Sequence, residues 1–426
     1  MAGGLIAVWK QRWHRSALLR RLGALTSGTV LAQGIQLLNF VVLAKIYTLT
    51  DVGLYSVFSA IVGTLAPVAV LGYEMLIPAA SDEDLGPFLK ALLLLLLPMA
   101  LLLGLLAAML SYGHALAVGL WVAGAMVLRL AEMYNVRNNR FRWVAAARMA
   151  PPLLMVVLLA TFVGAGVQDI DRLITWQSGL TLVLGLLYAA FTFPRNLLTA
   201  AHTVVQMRVT LRKSANAPLY LMPSNLLNLV AYNLPVLVIG HSFGSELAAQ
   251  YAYVLRFGFG PVGLVGGTLY QVFYGFLAEA ARTGNEEMFR QFVRARQHIG
   301  YAAVAAGAGI ALIYPLAFRY VLGPQWVTAG WVSMVFAPFF AAMLYVTTQS
   351  VALNVFSRQQ YELKTQVQYF GISVLSFGLA ILLGNPWIGF VLFSVLGCLR
   401  YALLLRDINI VLIEHKVIGR QHAARS

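Results

Sequence analysis

The sequence contains little of what a soluble protein uses on its surface or in disulfides. Only 11% of its 426 residues are charged, and acidic side chains are the scarcer kind, with 15 Asp and Glu against 30 Lys and Arg. The single cysteine, Cys398, excludes an intrachain disulfide and lies in an apolar run, which is typical of a packing residue. Hydrophobic residues make up 60% of the chain, far above the usual balance of a soluble domain. The chain is therefore predicted to lie mainly in a lipid bilayer.

The common signatures of metal, nucleotide and nucleic-acid sites are also missing. The seven histidines have no paired spacing suited to zinc, and no G-x-x-x-x-G-K-[ST] phosphate loop occurs. The triplet Asp169-Ile170-Asp171 has the D-x-D form of some glycosyltransferase metal sites, but it falls in a short turn predicted to face outward. The Lys and Arg residues lie in short tracts between apolar runs, which argues against a nucleic-acid partner despite the net charge of +15. We therefore expect no cofactor and no metal.

Apolar runs bounded by charged and turn residues predict twelve membrane-spanning helices, since a span needs roughly 20 mostly apolar residues. They lie near 22–47, 52–79, 88–110, 115–135, 143–163, 173–193, 220–239, 247–276, 299–321, 327–356, 365–383 and 387–405. The two halves echo one another: Gly53-Leu54-Tyr55 resembles Ala249-Gln250-Tyr251, and Tyr134-Asn135-Val136 resembles Leu353-Asn354-Val355. We predict an all-α fold of two six-helix bundles, related as parallel repeats, with a substrate site between them near the membrane midplane.

The basic residues fall almost entirely in alternate connections, which sets the orientation. With the N-terminus in the cytoplasm, the inner connections hold Arg137, Arg140, Arg142, Arg195, Arg208, Arg212, Lys213, Arg282, Arg290, Arg294, Arg296, Arg358 and Lys364. The positive-inside rule then places both termini in the cytoplasm. The predicted domains are a basic amphipathic segment 1–21, in which Leu5, Trp9 and Trp13 share a face, a bundle 22–193, a cytoplasmic linker 194–218, a bundle 219–406 and a basic cytoplasmic tail 407–426.

Charged residues inside spans are costly and usually face a bundle interior or a wet cavity. We single out Lys45, Glu74, Arg129, Glu132, Arg148 and Arg256. Four cations against two carboxylates leave an excess of about +2, which favours an anionic passenger. Counting ~1.5 Å per residue places Arg256 near the midplane. The alternative is structural: Lys45 and Arg148 could extend to the membrane surface, and Arg129 could neutralise Glu132.

Polar residues at helical spacing predict a phosphate or sugar cavity around these charges. The candidate binding residues are Arg256, Arg129, Arg148, Lys45, Gln33, Gln36, Asn225, Asn228, Tyr253 and Gln271. In the second span, Ser56, Ser59, Gly63, Pro67, Val70 and Glu74 are predicted to share a face, and in the eighth Arg256 shares one with Gly260, Gly263 and Gly267. Glu74 and Glu132 are candidates for ion coupling or charge pairing. Packing between transmembrane helices is an equally common use of such small and amide residues.

The residues assembled so far resemble the Wzx-type oligosaccharide-lipid flippases, a branch of the multidrug/oligosaccharidyl-lipid/polysaccharide (MOP) exporter superfamily. The likeness covers roughly 22–405 and rests on an ordered set of short motifs. These are Lys45-Ile46-Tyr47 before Asp51-Val52-Gly53-Leu54-Tyr55, Gly72-Tyr73-Glu74 leading into Ile77-Pro78 and Asp82-Glu83-Asp84, Asn139-Arg140, Pro218-Leu219-Tyr220, Pro223-Ser224, Leu234-Pro235-Val236-Leu237, Gln271-Val272-Phe273-Tyr274, and Asn354 followed by Ser357-Arg358-Gln359.

The resemblance implies a V-shaped pair of bundles that opens alternately to each side of a bacterial cytoplasmic (inner) membrane. The passenger would be an undecaprenyl-diphosphate-linked oligosaccharide repeat unit, moved outward for O-antigen, capsule or exopolysaccharide synthesis. Membrane lipids, a polysaccharide polymerase and a chain-length regulator are the further partners it implies. The resemblance fixes no residue roles. The chain departs from the lipid II flippase branch, which looks like a fourteen-span relative.

Two other functions compete with this one. A multidrug or other small-molecule antiporter of the same superfamily would share the fold, but its cationic passengers fit a positive interior badly. An integral-membrane enzyme acting on lipid-linked sugars is the other alternative. Such enzymes usually have a sizeable loop or lobe outside the membrane to hold acid, base or metal groups, and no connection here is long enough, so we expect no enzyme.

Overall fold

A computed structural model describes residues 17–109, 114–194, 202–214, 218–219, 222–356, 358 and 360–415. Within these ranges the regular structure is entirely helical. The first seven α-helices are α1 (Ala17–Ile46), α2 (Leu49–Leu65), α3 (Asp82–Met109), α4 (Ala115–Arg137), α5 (Phe141–Gly164), α6 (Ile170–Thr192) and α7 (Val204–Lys213). The others are α8 (Met222–Ser242), α9 (Ser245–Thr283), α10 (Glu286–Ala317), α11 (Val327–Gln349), α12 (Val351–Val355), α13 (Gln360–Leu382) and α14 (Pro386–Glu414). The predicted all-α class is confirmed.

The predicted spans and the observed helices follow the same order along the chain. Among the described residues, ten helices are long and apolar enough to cross a membrane, so the chain is a multi-pass membrane protein. The helices α8 and α9, predicted as the seventh and eighth spans, are not among these ten, and their assignment as spans stays a prediction. The predicted amphipathic helix around Leu5, Trp9 and Trp13 lies outside the described residues.

The second predicted span, 52–79, requires a correction. The α-helix α2 ends at Leu65 and is followed by two 3-10 helices, Ala66–Val70 and Tyr73–Ala79. Between them Leu71 and Gly72 have φ angles of 53° and 74°, a left-handed conformation that no continuing helix allows. Pro67, which cannot donate to the helical ladder, lies at the start of the first 3-10 helix. The predicted shared face from Ser56 to Glu74 is therefore wrong beyond the end of α2.

Helices at two of the connections that are predicted to be cytoplasmic extend beyond the apolar runs. The helix α9 continues to Thr283, where Gly284 takes a left-handed conformation (φ 63°), and Asn285 then caps α10 by accepting hydrogen bonds from two backbone N–H groups. The linker contains α7, which begins with a capping box formed by Thr203 and Gln206. The ends of these helices are charged, and an apolar run stops at the first charged residues. The predicted spans are therefore shorter than the helices.

By their contacts, the described residues divide into two compact units. One lies within Met1–Tyr47 and Ile61–Leu226, and the other within Thr48–Ala60 and Leu227–Ser426. The first part of α2 therefore groups with the second unit. The predicted domain boundaries, and the V-shaped arrangement implied by the resemblance, stay predictions.

Three helix pairings recur in both units, as the predicted repeat requires. In the first unit α3 packs on α4, and both α4 and α5 pack on α6. In the second, α10 packs on α11, and both α11 and α13 pack on α14. The helices α3 to α6 are the third to sixth predicted spans, and α10, α11, α13 and α14 are the ninth to twelfth. Each pairing in the first unit therefore involves the same positions in the repeat as its counterpart in the second. The repeat inferred from weak sequence echoes is thus present in the packing.

Two glycines, Gly124 and Gly185, allow the backbones of α4 and α6 to approach closely. A Cβ atom on Gly124 would lie 2.5 Å from the backbone nitrogen of Leu182, and one on Gly185 would lie 2.6 Å from the carbonyl oxygen of Gly124. Only residues without a side chain permit this approach of two helix backbones, as is common in membrane helix pairs. The close contact fixes α4, which carries Arg129 and Glu132.

Candidate functional site

The Arg256 guanidinium is held by two serine hydroxyls of α2. Its Nη1 donates to Ser56 Oγ at 3.1 Å and its Nη2 to Ser59 Oγ at 2.7 Å. The two serines lie on the same face of α2 because they are three residues apart. The guanidinium also lies 5.8 Å from the centre of the Tyr253 ring. The two hydroxyls and the ring are neutral groups that orient the guanidinium.

Beyond Arg256, one face of α9 borders open space. A Cβ atom built on Gly260, Gly263 or Gly267 would meet no described atom within 4 Å. The helix backbone is therefore accessible along this stripe, as the sequence spacing predicted. Gln271, a candidate binding residue one helical turn beyond Gly267, is exposed.

In the first unit, two arginines share one buried carboxylate. The side chain of Glu132 is 9% exposed, and it accepts from Arg129 Nη1 at 2.8 Å and from Arg148 Nε at 2.9 Å. Arg148 Nη1 also donates to Thr29 Oγ1 of α1 at 2.8 Å. The Arg129–Glu132 pair, weighed from the sequence as a structural alternative, is therefore present. Since two cations meet one anion, this Glu132 cluster (Arg129, Glu132 and Arg148) keeps a net charge of about +1.

Glu74 is the second buried carboxylate of this unit. It is 3% exposed, at the start of the 3-10 helix Tyr73–Ala79. Its Oε2 atom has no hydrogen-bond partner among the described residues. The positive charge of Arg129 attracts the ionised carboxylate. A buried carboxylate with one unused oxygen is costly to maintain, which is typical of a residue retained for function. Glu74 remains a candidate for ion coupling.

The other candidate residues lie in varied surroundings. Lys45 is exposed in the last turn of α1, and Gln33 and Gln36 are half-buried earlier in that helix. Asn225 is half-buried and donates to Met75 Sδ at 3.2 Å. Tyr253 is fully buried, with its ring centre 4.2 Å from that of Trp326, so it supports Arg256 from within the core. Contact between any of these residues and a passenger stays a prediction.

Arg400 lies inside the last predicted span but is not among the candidate residues predicted from the sequence. Arg400 is 7% exposed and lies midway along α14. Its Nε donates to the backbone carbonyl of Thr365 at 3.0 Å, and its guanidinium lies 4.8 Å from the ring centres of both Tyr369 and Tyr401. The criterion of a charge within an apolar run applies to Arg400 as it does to Arg256, and it adds one cation to the predicted excess.

Arg400 lines a cavity of about 430 Å³ inside the second unit. The polar lining residues are Asn228, Tyr232, Thr347, Ser350, Thr365, Gln366, Tyr369, Arg400 and Tyr401. Of the sequence-predicted site residues, Asn228 belongs to this cavity. A volume of this size is in the range of small-molecule binding pockets, ~300–1,000 Å³.

A second buried arginine, Arg296 of α10, joins three helices. It is 8% exposed, and it donates through Nε to Gln349 Oε1 at 2.6 Å and through Nη2 to Asn409 Oδ1 at 2.5 Å. Both partners are neutral amides. The sequence placed Arg296 in an inner connection, whereas it lies within α10.

Comparison with known proteins shows the fold. No family model and no curated protein matches the chain. Among solved structures, an inward-facing multidrug resistance MATE family transporter of the MOP superfamily is 15% identical, with a TM-score of 0.62, over 89% of this chain and 95% of that one. The lipid II flippase MurJ, in an inward closed conformation, is 14% identical, with a TM-score of 0.66, over 92% of this chain and 90% of that one.

A third structure of this fold is a MOP superfamily transporter from Pyrococcus furiosus whose binding pocket is described as having reverse polarity. It is 15% identical, with a TM-score of 0.51, over 92% of this chain and 96% of that one. At such identities the likeness shows the fold alone. This chain is therefore an all-α, multi-pass membrane protein with the fold of the MOP-superfamily transporters.

Proposed function

We propose that the protein is a flippase that moves an anionic, undecaprenyl-diphosphate-linked oligosaccharide from the cytoplasmic to the periplasmic leaflet of a bacterial inner membrane. The fold is shared with transporters, including the lipid II flippase MurJ, which supports carriage of a lipid-linked sugar. The ordered sequence motifs support the same class. In this proposal, the passenger's diphosphate binds cationic side chains within the spans.

The observation that carries the proposal is the Arg256 guanidinium held by Ser56 and Ser59 beside the open glycine stripe of α9. A guanidinium presents several N–H donors in a planar fork that suits two phosphate oxygens at once. The open face next to it leaves room for a ligand to approach. The Glu132 cluster adds two partly exposed arginines, which among the described residues share a single carboxylate, Glu132.

A multidrug antiporter is the second candidate, because MATE transporters share the fold. Cationic drugs require carboxylates facing the transport path, and the buried Glu74 could serve that purpose. Cation antiport predicts that Glu74→Gln abolishes transport while Arg256→Ala leaves it unchanged. The flippase proposal predicts the opposite order of sensitivity.

The test is transport by the purified protein in vesicles, measured with a fluorescent undecaprenyl-diphosphate-linked sugar and, in parallel, with a cationic dye. We expect the lipid-linked sugar to move and the dye not to move. Arg256→Ala should abolish movement while the protein stays folded in the membrane, and Arg256→Lys should recover only part, because an ammonium is a point charge. Normal movement by well-folded Arg256→Ala would remove this residue from the mechanism, and transport of the dye alone would refute the flippase proposal.

A further inference from the structure

The cavity around Arg400 has an unusual charge balance for the interior of a membrane protein. Arg400 is buried among α11, α13 and α14, and no carboxylate occurs among the described residues that line the cavity. A buried cation is costly unless an anion or hydrogen-bond acceptors compensate it. The Thr365 carbonyl accepts from Nε at 3.0 Å, and the Tyr401 hydroxyl accepts a second hydrogen bond from the guanidinium. The remaining N–H groups of the guanidinium are suited to an anionic ligand.

Tyrosine rings position this guanidinium. The Tyr369 and Tyr401 rings each lie 4.8 Å from it, and both side chains are buried. Contact with aromatic faces stabilises a cation without neutralising it, so the positive charge remains available to an anion. The bond from Nε to Thr365 further restricts rotation of the planar fork. Arg400 is thus held in place before any ligand binds.

A second observation indicates that the ligand also carries hydroxyl groups. The Oε1 atom of Gln366, a lining residue, is buried and has no hydrogen-bond partner among the described residues. A buried amide oxygen without a donor costs free energy, and a ligand hydroxyl would supply that donor. Thr347, Ser350 and Asn228 add further neutral polar groups around the same space. This composition, several neutral hydrogen-bonding groups with one cation, suits a polyhydroxylated acid.

We propose that this cavity binds an acidic sugar, with the carboxylate of the sugar on Arg400 and a sugar hydroxyl on Gln366. The inference rests on the proposed function in taking the ligand to be a sugar of the passenger, and it names the substrate class as a repeat unit that contains a uronic acid or a similar acid. The site lies within the second unit and contains neither Arg256 nor the Glu132 cluster. It is therefore a second anion-binding site, for the sugar rather than for the diphosphate.

The experiment measures binding of free sugars to the full chain in lipid nanodiscs by saturation-transfer NMR, with sodium glucuronate and glucose as probes and inorganic phosphate as a competitor. We expect glucuronate to bind at least about tenfold more tightly than glucose, as a charge-assisted hydrogen bond would provide. Arg400→Gln should remove that preference. The matched control is Arg319→Gln, which removes an exposed arginine that also lies beside a tyrosine ring, 5.7 Å from Tyr320, and should leave glucuronate binding unchanged.

A second variant keeps the test decisive if Arg400→Gln does not fold. Gln366→Glu keeps the size of the side chain and retains Arg400, but it adds a negative charge to the cavity that holds the sugar carboxylate, so repulsion should make glucuronate bind at least about tenfold more weakly. Unchanged glucuronate binding by this variant would overturn the inference. Equal binding of glucuronate and glucose, or binding of phosphate in preference to both, would also overturn it.

This test is separate from the test of transport. If glucuronate binds through Arg400 but vesicles move no lipid-linked sugar, the proposed function fails and the acidic-sugar site stands. If vesicles move the lipid-linked sugar but the protein shows no preference for glucuronate, only the acidic-sugar site is refuted.

Discussion

Replacing Glu132 with glutamine keeps the shape of the side chain but removes the one carboxylate that two arginines share. The Glu132 carboxylate is almost fully buried, whereas the side chains of Arg129 and Arg148 are 36% and 35% exposed. Breaking a buried ion pair costs about 3–5 kcal/mol, and breaking an exposed pair costs about 0–1 kcal/mol. Because only one partner of each pair is buried, we expect Glu132→Gln to destabilise the protein by about 2 kcal/mol.

The assay is thermal unfolding of the purified protein in detergent, combined with a double-mutant cycle. Removing one cation together with the carboxylate relieves the repulsion between Arg129 and Arg148, so Glu132→Gln with Arg148→Gln should be more stable than Glu132→Gln alone. The matched control is Glu414→Gln, which breaks an ion pair with Arg358 whose partners are 42% and 48% exposed, and which should cost under about 1 kcal/mol. Equal effects of Glu132→Gln and Glu414→Gln, or additive effects in the cycle, would refute this reasoning.

Two further predictions concern topology and packing. Segregation of basic residues predicts that a reporter joined after Arg212 is active only in the cytoplasm, and an outward-active fusion would contradict the whole span assignment. Gly124→Val should lower the amount of folded protein in the membrane, because a Cβ atom there would lie 2.5 Å from the backbone of α6, whereas Gly260→Ala, with no described atom within 4 Å, should be tolerated. Equal membrane abundance of the two variants, measured by immunoblot, would contradict the close α4–α6 contact.

Most of the helical order was predictable because apolar runs report directly on membrane spans. The break after Leu65 was not predicted, although Pro67 and Gly72 are local signals of it. The residues between 52 and 79 are apolar enough to read as one span, and hydropathy does not register a left-handed residue such as Leu71. The helical extension at Glu286 was missed for the opposite reason, since its first turns are charged.

The candidate site was predictable only where its contacts are local in sequence. The Arg129–Glu132 pair is three residues apart and follows from helical spacing. The contact of Glu132 with Arg148 joins two helices, and that of Arg256 with Ser56 joins residues 200 positions apart, so neither follows from periodicity. Helical spacing did place Ser56 and Ser59 on one face. Arg400 could have been found from its position in an apolar run, but its two tyrosine neighbours required the structure.

The most direct test of an anion-carrying function is the response of transport to membrane potential. A diphosphate lipid carries about two negative charges, and each is worth ~2.3 kcal/mol per 100 mV if it crosses the whole field. An inside-negative potential of 100 mV should therefore favour outward movement by roughly 4.6 kcal/mol. In vesicles containing the purified protein and a fluorescent undecaprenyl-diphosphate-linked sugar, imposing this potential without a proton or sodium gradient should drive the sugar outward, and reversing it should stop accumulation. Movement that ignores the potential and follows only a proton or sodium gradient would contradict this account and favour antiport through Glu74 or Glu132.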